Sequence, residues 1–206
     1  MKLMKSMLVA VTCLMLGACA GVGQKQPSVY EALGSGASTA DLLTPASDYP
    51  IKEDGIYINV VNAKPLDQEG KAVSPARTMA VVMMVNQKMM AESKLAVVAI
   101  DSTAYFFRFV GTDSTGAQYF TVHTQEATMA NPKKPDIPFI AIGRIEHMKD
   151  GSLVMSEHIK GTGEQVWSAN FKAEPIPKDD AGATALTAKW IERFQAERAK
   201  GESPKI

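Results

Sequence analysis

The sequence predicts an α+β fold: a mostly antiparallel sheet of about five to six strands with two main helices packed on it, preceded by a signal peptide and a flexible tether. Short runs rich in β-branched and aromatic residues recur between turn residues, which is typical of antiparallel strands. Two longer stretches contain no Gly or Pro and are dense in good helix formers. A chain of this order most simply packs its helices on one face of the sheet.

Residues 1–18 have the parts of a secretory signal peptide. The first five residues carry two lysines, and the apolar run 7–16 is far shorter than the roughly 20 residues that span a bilayer. The small residues Gly17 and Ala18 follow, so cleavage is predicted between Ala18 and Cys19.

The four residues Leu16-Gly17-Ala18-Cys19 resemble the lipobox of bacterial lipoproteins. The resemblance implies that Cys19 carries a diacylglycerol on its sulfur and usually a further acyl chain on its new amine. Two or more chains anchor a protein stably, because each buried CH₂ contributes roughly 0.8 kcal/mol. By the sorting habit of the family, Ala20 implies the outer membrane, with the domain facing the periplasm. The alternatives are an uncut membrane helix and an ordinary secretory signal.

The other cysteine, Cys13, lies in the leader and is removed with it. The mature chain then keeps only Cys19, whose thiol is lipidated, so no disulfide can form within it even in the oxidising periplasm. A cysteine nucleophile and a thiolate metal site are excluded for the same reason.

The charges of the chain balance, because 22 Lys and Arg stand against 22 Asp and Glu. Removal of the leader takes two lysines and no acid, which leaves 20 basic against 22 acidic residues. A nearly neutral domain has no electrostatic field that would attract nucleic acid or an anionic membrane surface. The length suits a single periplasmic domain, which we place at 51–206.

Residues 19–50 are predicted to be the lipidated N-terminus and a flexible linker, because they are rich in Gly, Ser, Ala and Pro and lack a sustained period. A flexible chain of this length has a typical end-to-end distance of roughly 30 Å, enough to lift a domain clear of lipid headgroups. The alternative is that four apolar side chains of this segment pack on the domain: Tyr30, Leu33, Leu42 and Leu43.

The domain is predicted to begin with a strand at 55–64, which is rich in β-branched residues. Ser74 and Pro75 then suit the N-cap and the first position of a helix, and the run that follows lacks breakers. We therefore assign 75–94 to a long helix. The next residues, 95–100, either continue this helix or form a short strand.

A β-hairpin and a three-stranded meander are predicted to follow this helix. The hairpin at 104–124 has two aromatic-rich strands around a polar turn. The meander lies within 137–174, and a two-residue loop is predicted at Asp150-Gly151. The second main helix, 183–199, has an apolar stripe of Leu186, Trp190, Ile191 and Phe194.

The sequence shows no catalytic or metal-binding constellation. In the register that the Asp150-Gly151 loop predicts, His147 and His158 share a face but lie over roughly 12 Å apart, too far for a common metal ion. The same register makes Arg144 and Glu157 an exposed cross-strand pair. The chain has no G-x-S-x-G elbow and no phosphate-binding glycine loop, so no nucleophile and no cofactor is predicted. A Ser-His-Asp arrangement assembled from distant segments stays open.

Methionine is frequent, with 12 residues in the chain and a cluster within the predicted helix 75–94. Three interpretations are core packing, an adaptable apolar surface for a partner, and a soft-metal site for Cu(I). Core packing is favoured because Met79, Met83 and Met90 fall on one helical face. Met84 lies off that face and is a candidate contact residue.

The stretch 139–171 contains a strand with Ile142-Gly143-Arg144-Ile145, followed by Thr162-Gly163-Glu164 and Val166-Trp167. With these residues it resembles the last strands of certain small α/β periplasmic lipoproteins. These include the curli-secretion lipoprotein and the lipoprotein activators of penicillin-binding proteins. The resemblance implies a sheet flanked by helices and a role in binding or assembly instead of catalysis, and it carries over no functional residue.

The anchor, the spacer and a domain without a catalytic constellation predict a non-catalytic envelope lipoprotein that binds or helps assemble another envelope protein. Tyr105, Tyr119 and Met84 are the candidate contact residues, on the expectation that their side chains are exposed. The alternative is a periplasmic carrier or enzyme for a small apolar or lipid ligand held between sheet and helix. In that alternative the aromatic strands of the hairpin line the pocket.

Overall fold

The computed structural model describes residues 26–45, 51–90, 95–100, 103–130 and 137–201. In these ranges the chain forms the following elements, in order: α1 (Val29–Ser35), β1 (Gly55–Ala63), β2 (Arg77–Val85), α2 (Gln87–Met90), β3 (Leu95–Ile100), β4 (Thr103–Thr112), β5 (Gln118–Thr124), α3 (Gln125–Ala130), β6 (Ala141–His147), β7 (Leu153–Ile159), β8 (Gln165–Phe171), β9 (Ala173–Glu174) and α4 (Asp180–Gly201).

The strands form one antiparallel sheet in the order β8-β7-β6-β5-β4-β3-β2-β1-β9. Strands β8 and β9 stand at opposite ends of this order, yet only Lys172 separates them in the chain. The sheet must therefore curl until its two ends meet, and the Asn59 side chain donates a hydrogen bond to the Asn170 carbonyl across the seam at 2.5 Å. The α+β class is confirmed, but the described sheet has nine strands instead of five to six.

The predicted helix at 75–94 is wrong, because most of it is strand β2 followed by the single turn α2. Burial along β2 alternates: Met79, Val81 and Met83 point into the core, whereas Met84 points outward. A period of two is the signature of a strand, and pairing with β1 and β3 overrides the helix propensity of the methionines and alanines. The alternative of a strand at 95–100 is confirmed by β3.

Aromatic side chains fill the middle of the curled sheet. Phe107, Phe120 and Phe171 are fully buried, and the rings of Phe107 and Phe120 lie 6.0 Å apart. Burial of one such side chain stabilises a fold by about 1.5–3 kcal/mol. The inner face of the hairpin strands β4 and β5 is therefore packed by side chains over most of its length.

The segment before the sheet is packed on its outer face. Helix α1 begins with a capping box of Ser28 and Glu31. Leu43 is buried against Tyr119 and Ile142, and three further side chains of the segment pack on the same cluster: Tyr30, Leu33 and Leu42. The alternative prediction, that these four side chains pack on the domain, is therefore confirmed. The prediction of a flexible linker is wrong for 26–45. The rest of the predicted linker, 19–25 and 46–50, lies outside the described residues.

The turn between β6 and β7 is one residue longer than predicted. The Met148 amide donates to the Ser152 carbonyl, and His147 pairs with Leu153. Glu157 therefore pairs with Gly143 and points into the sheet's interior, because a one-residue slip exchanges the two faces of a strand. The predicted Arg144–Glu157 pair is wrong.

The second main helix is confirmed as α4, which lies outside the sheet against β1 and β2. Leu186, Trp190 and Phe194 are half-buried, and α4 has no fully buried residue. None of the helices in the described ranges is both long and apolar enough to cross a membrane.

Candidate functional site

An apolar groove of about 620 Å³ lies between α4 and the outer face of β1 and β2. The floor consists of outward-facing residues of the two strands, and α4 forms one wall. The residues that line the groove and enter the argument below are Ile56, Ile58, Met84, Ile176, Trp190 and Ile191.

The groove exists because β1 and β2 are apolar on both faces. An antiparallel sheet that faces water normally alternates apolar residues inside with polar residues outside. Here the outward positions Ile56, Ile58 and Val82 are apolar as well, and α4 covers them only in part. Two of the floor residues, Ile56 and Ile58, are buried beneath the helix.

The rim of the groove exposes large apolar side chains. Met84 is 53% exposed, Ile191 is 52% exposed and Ile176 is 41% exposed. The described part of the chain has only two other large apolar side chains this exposed, Val73 and Met148, and neither lines the groove. Clustering of exposed apolar side chains around one concavity indicates an interaction site.

Polar contacts fix α4 to the sheet along one edge of the groove, and the opposite edge of the groove is open. Arg193 donates a hydrogen bond to the Asn59 side chain at 2.8 Å, and the Lys189 ammonium group lies 2.7 Å from the Glu174 carboxylate. The Arg193 guanidinium also stacks on the Trp190 ring, 4.9 Å from its centroid. These contacts fix the distance between helix and sheet.

The groove has a basic end. Arg77 from β2 and Arg198 from α4 line the cleft that continues from the groove past Phe194. Both arginines are exposed at the surface. A ligand that fills the groove with apolar groups therefore meets positive charge at this end.

The structure does not bring the three predicted contact residues together. Met84 lies on the groove rim, so its predicted exposure is confirmed. The predicted exposure of Tyr119 is wrong: it is 5% exposed, and its hydroxyl donates to Asp113 at 3.0 Å and accepts from Arg144 at 3.3 Å. Burial raises the pKa of Tyr119. Tyr105 is half-buried against the core at one end of the sheet.

Ile176 and Ile191 are groove residues that the sequence reasoning did not nominate as contacts. The signal that points to them is indirect. Both faces of β1 and β2 are apolar, so their outer face must be shielded from water by other side chains. Helix α4 is too narrow to shield both strands. Ala18 and Cys19 lie outside the described residues.

The rings of all three histidines are hydrogen-bonded within the fold. The ring nitrogens of His123 bond to Thr121 at 2.6 Å and to the Pro138 carbonyl at 2.9 Å, and burial lowers the pKa of His123. The corrected register places His147 and His158 on opposite faces of the sheet, so their predicted common face is wrong. Among the described residues, no three His, Cys, Asp or Glu side chains are grouped closely enough to hold a metal ion.

No protein-family model, curated protein or solved structure matches the chain.

Proposed function

We propose that this chain is a lipid-anchored envelope lipoprotein of the outer membrane, whose periplasmic domain binds an amphipathic helix of another envelope protein in the groove between α4 and β1–β2. The observation that carries the proposal is the exposure of Met84, Ile176 and Ile191 around one apolar concavity. The anchor at Cys19 rests on the lipobox-like sequence.

The shape of the groove favours a helix over a compact ligand. The wall runs from Ala183 to Phe194, which is roughly 16 Å of helix at 1.5 Å per residue. An amphipathic helix that lays its apolar face into a groove contacts about three turns over such a length. Pockets for small ligands usually bury 70–90% of the ligand, which a groove with exposed rims does not achieve. Methionine at the rim adapts to the partner's side chains.

The basic end of the groove specifies the charge of the partner. Arg77 and Arg198 would face one end of the bound helix. Electrostatic complementarity raises the association rate and fixes orientation more than it raises affinity. We therefore propose a partner helix with an apolar face and acidic residues near the end that meets the two arginines.

Aspartate at the groove rim should remove partner binding. The double substitution Met84→Asp with Ile191→Asp would place two carboxylates where the partner buries apolar surface. Loss of an interface hot spot costs about 2 kcal/mol or more, so we expect at least ~30-fold weaker binding. Chemical cross-linking in intact envelopes, followed by co-purification under matched conditions, measures the effect.

The matched control is Val73→Asp with Met148→Asp, which changes two equally exposed apolar residues away from the groove. The control variant should keep the partner. If both double variants lose it equally, or if neither does, the groove is not the binding site.

Replacement of Cys19 should remove the lipid anchor. Cys19→Ala removes the sulfur that carries the diacylglycerol, so we expect the leader to remain uncut or the product to leave the membrane. Membrane fractionation with a salt wash, together with the intact mass of the product, measures both. Normal processing of Cys19→Ala with retention in the washed membrane would contradict the lipid anchor.

A second candidate function is a carrier for an apolar or lipid ligand. The volume of the groove, about 620 Å³, favours it, because small-molecule sites typically measure 300–1,000 Å³. Native mass spectrometry of the purified protein decides between the two. A stoichiometric lipid that disappears in the Met84→Asp, Ile191→Asp variant supports the carrier, and the absence of such a lipid supports the protein partner.

A further inference from the structure

A second cavity, of about 70 Å³, lies at the end of the curled sheet where β1 ends and β2 begins. It is separate from the apolar groove, since its walls come from the interior face of the strands. Apolar side chains such as Met79, Ile100 and Ile140 form part of the wall. Two aromatic residues, Tyr105 and Trp167, line it as well.

A buried carboxyl group also lines this cavity. Glu157 is 6% exposed and is the only acidic side chain that is buried in the described part of the chain. The Trp167 indole N–H donates a hydrogen bond to one of its carboxyl oxygens at 2.6 Å. A buried carboxylate is costly unless it is paired with a cation and hydrogen-bonded. The Glu157 carboxyl group accepts this hydrogen bond from a neutral donor, so its charge is not balanced by the indole. A carboxylate in this position therefore suits a site at which a cation binds.

Glu157 lies in the interior of the cavity, and two basic side chains lie at its mouth. Lys64 at the end of β1 and Arg77 at the start of β2 line the mouth of the cavity, and both are exposed. The Lys64 ammonium group lies 2.5 Å from the Glu164 carboxylate, just before β8. Tyr105 on β4 is the other titratable side chain in the wall. The Lys64–Glu164 pair is neutral overall, so Arg77 supplies the positive charge at the mouth of a site whose interior holds the Glu157 carboxyl group.

We propose that this cavity binds a small zwitterion of a few non-hydrogen atoms, with its ammonium group on Glu157 and its carboxylate toward Arg77. The ammonium group would pair with the buried carboxylate, where a charge-assisted hydrogen bond is about twice as strong as a neutral one. Trp167 and Tyr105 supply aromatic wall on which the carbon atoms of the ligand would pack. The basic mouth selects against a simple cation and for a ligand that also carries a carboxylate.

The size of the cavity limits the ligand. A water molecule needs roughly 10–15 Å³ of such volume, so the cavity admits a molecule about the size of five waters. Lipids and peptides are too large for it. Arg77 borders both this cavity and the cleft at the basic end of the groove, and it is the one residue that the two proposals share.

Binding should depend on pH through Glu157. Burial raises the pKa of this carboxyl group to about 7, although the hydrogen bond from Trp167 opposes the shift. The ligand needs the ionised form, so affinity should fall as the pH drops below 7. Between pH 8 and pH 5.5 the ionised fraction falls about 30-fold, and the affinity should fall with it.

The test uses β-alanine as the probe and the fluorescence of Trp167 as the readout. The chain has two tryptophans, so the full-length processed protein carries Trp190→Phe to leave Trp167 as its single tryptophan. We expect β-alanine to change the emission saturably at pH 8. Ethylamine, which lacks the carboxylate, and propionate, which lacks the ammonium group, should bind at least tenfold more weakly.

Glu157→Gln is the decisive variant, because the amide keeps the shape of the side chain and loses its charge. It should weaken β-alanine binding at least tenfold and abolish the pH dependence, while a two-state unfolding curve shows that the variant is folded. Absence of saturable binding to the unsubstituted Glu157 protein at pH 8 would overturn the proposal. Equal binding by Glu157→Gln, or equal binding of ethylamine and β-alanine, would overturn it too.

Discussion

Met83→Ala should destabilise the protein by about 2–5 kcal/mol, whereas Met84→Ala should change the free energy of unfolding by no more than about 0.5 kcal/mol. Met83 is completely buried between neighbouring strands, so its truncation removes apolar contacts and leaves a cavity. Met84 is the next residue in β2, and its side chain lies on the rim of the groove. Urea unfolding at one pH measures both changes.

Val81→Ala is the control that separates a strand from a helix at this position. In strand β2, Val81 is fully buried on the same face as Met79 and Met83, so its truncation should also destabilise the protein. In a helix, residue 81 would lie away from the face that holds residues 79 and 83. A stable Val81→Ala variant, or a Met84→Ala variant as unstable as Met83→Ala, would contradict the alternation of β2.

Glu157→Gln should stabilise the protein at pH 8 by up to about 3 kcal/mol and have little effect near pH 4. Burial raises the pKa of Glu157 from 4.5 to about 7, whereas the carboxyl group of the unfolded chain ionises near 4.5. Between these values the folded state holds a proton that the unfolded state has released, so stability falls as the pH rises. Each unit of pKa difference corresponds to 1.36 kcal/mol, and the loss is complete above pH 7.

The measurement is urea unfolding of both proteins at intervals from pH 4 to pH 8, without added ligand. Glu192→Gln removes a carboxyl group from an exposed position on α4 and serves as the control. The difference between Glu157→Gln and the unsubstituted protein should widen between pH 4.5 and pH 7, and the control should show no such widening. Parallel stability curves would mean that Glu157 is not buried in the folded protein.

Local signals in the sequence predict a large part of the fold. The strand at 55–64, the hairpin, the three-stranded meander and the C-terminal helix correspond to β1, β4–β5, β6–β8 and α4. Each has a composition, a turn or a period that needs no distant partner to interpret. The run at 75–94 lacks such a signal, since it contains no breaker and mixes helix-forming methionine with β-branched valine. Pairing with β1 and β3 decides its structure.

The candidate site depends on contacts that lie far apart in the sequence. The sequence points to Met84 because it lies off the apolar face of the expected helix. In strand β2 it faces outward because successive side chains alternate between the two faces of the sheet. Tyr119 is hidden by the segment that contains α1 and Leu43, which no pattern within the hairpin reveals. Glu157 faces the interior because the turn at 148–152 has one residue more than a two-residue loop.

Site-specific photo-cross-linking in intact envelopes tests the binding function most directly. A photoreactive side chain at position 191, on the rim of the groove, is compared with one at position 148, which is similarly exposed but lies elsewhere. We predict that position 191 cross-links to one protein, through a peptide with an apolar helical face and acidic residues at one end, and that position 148 does not. Identical products from both positions, or cross-links from position 191 to lipid alone, would contradict the proposed function.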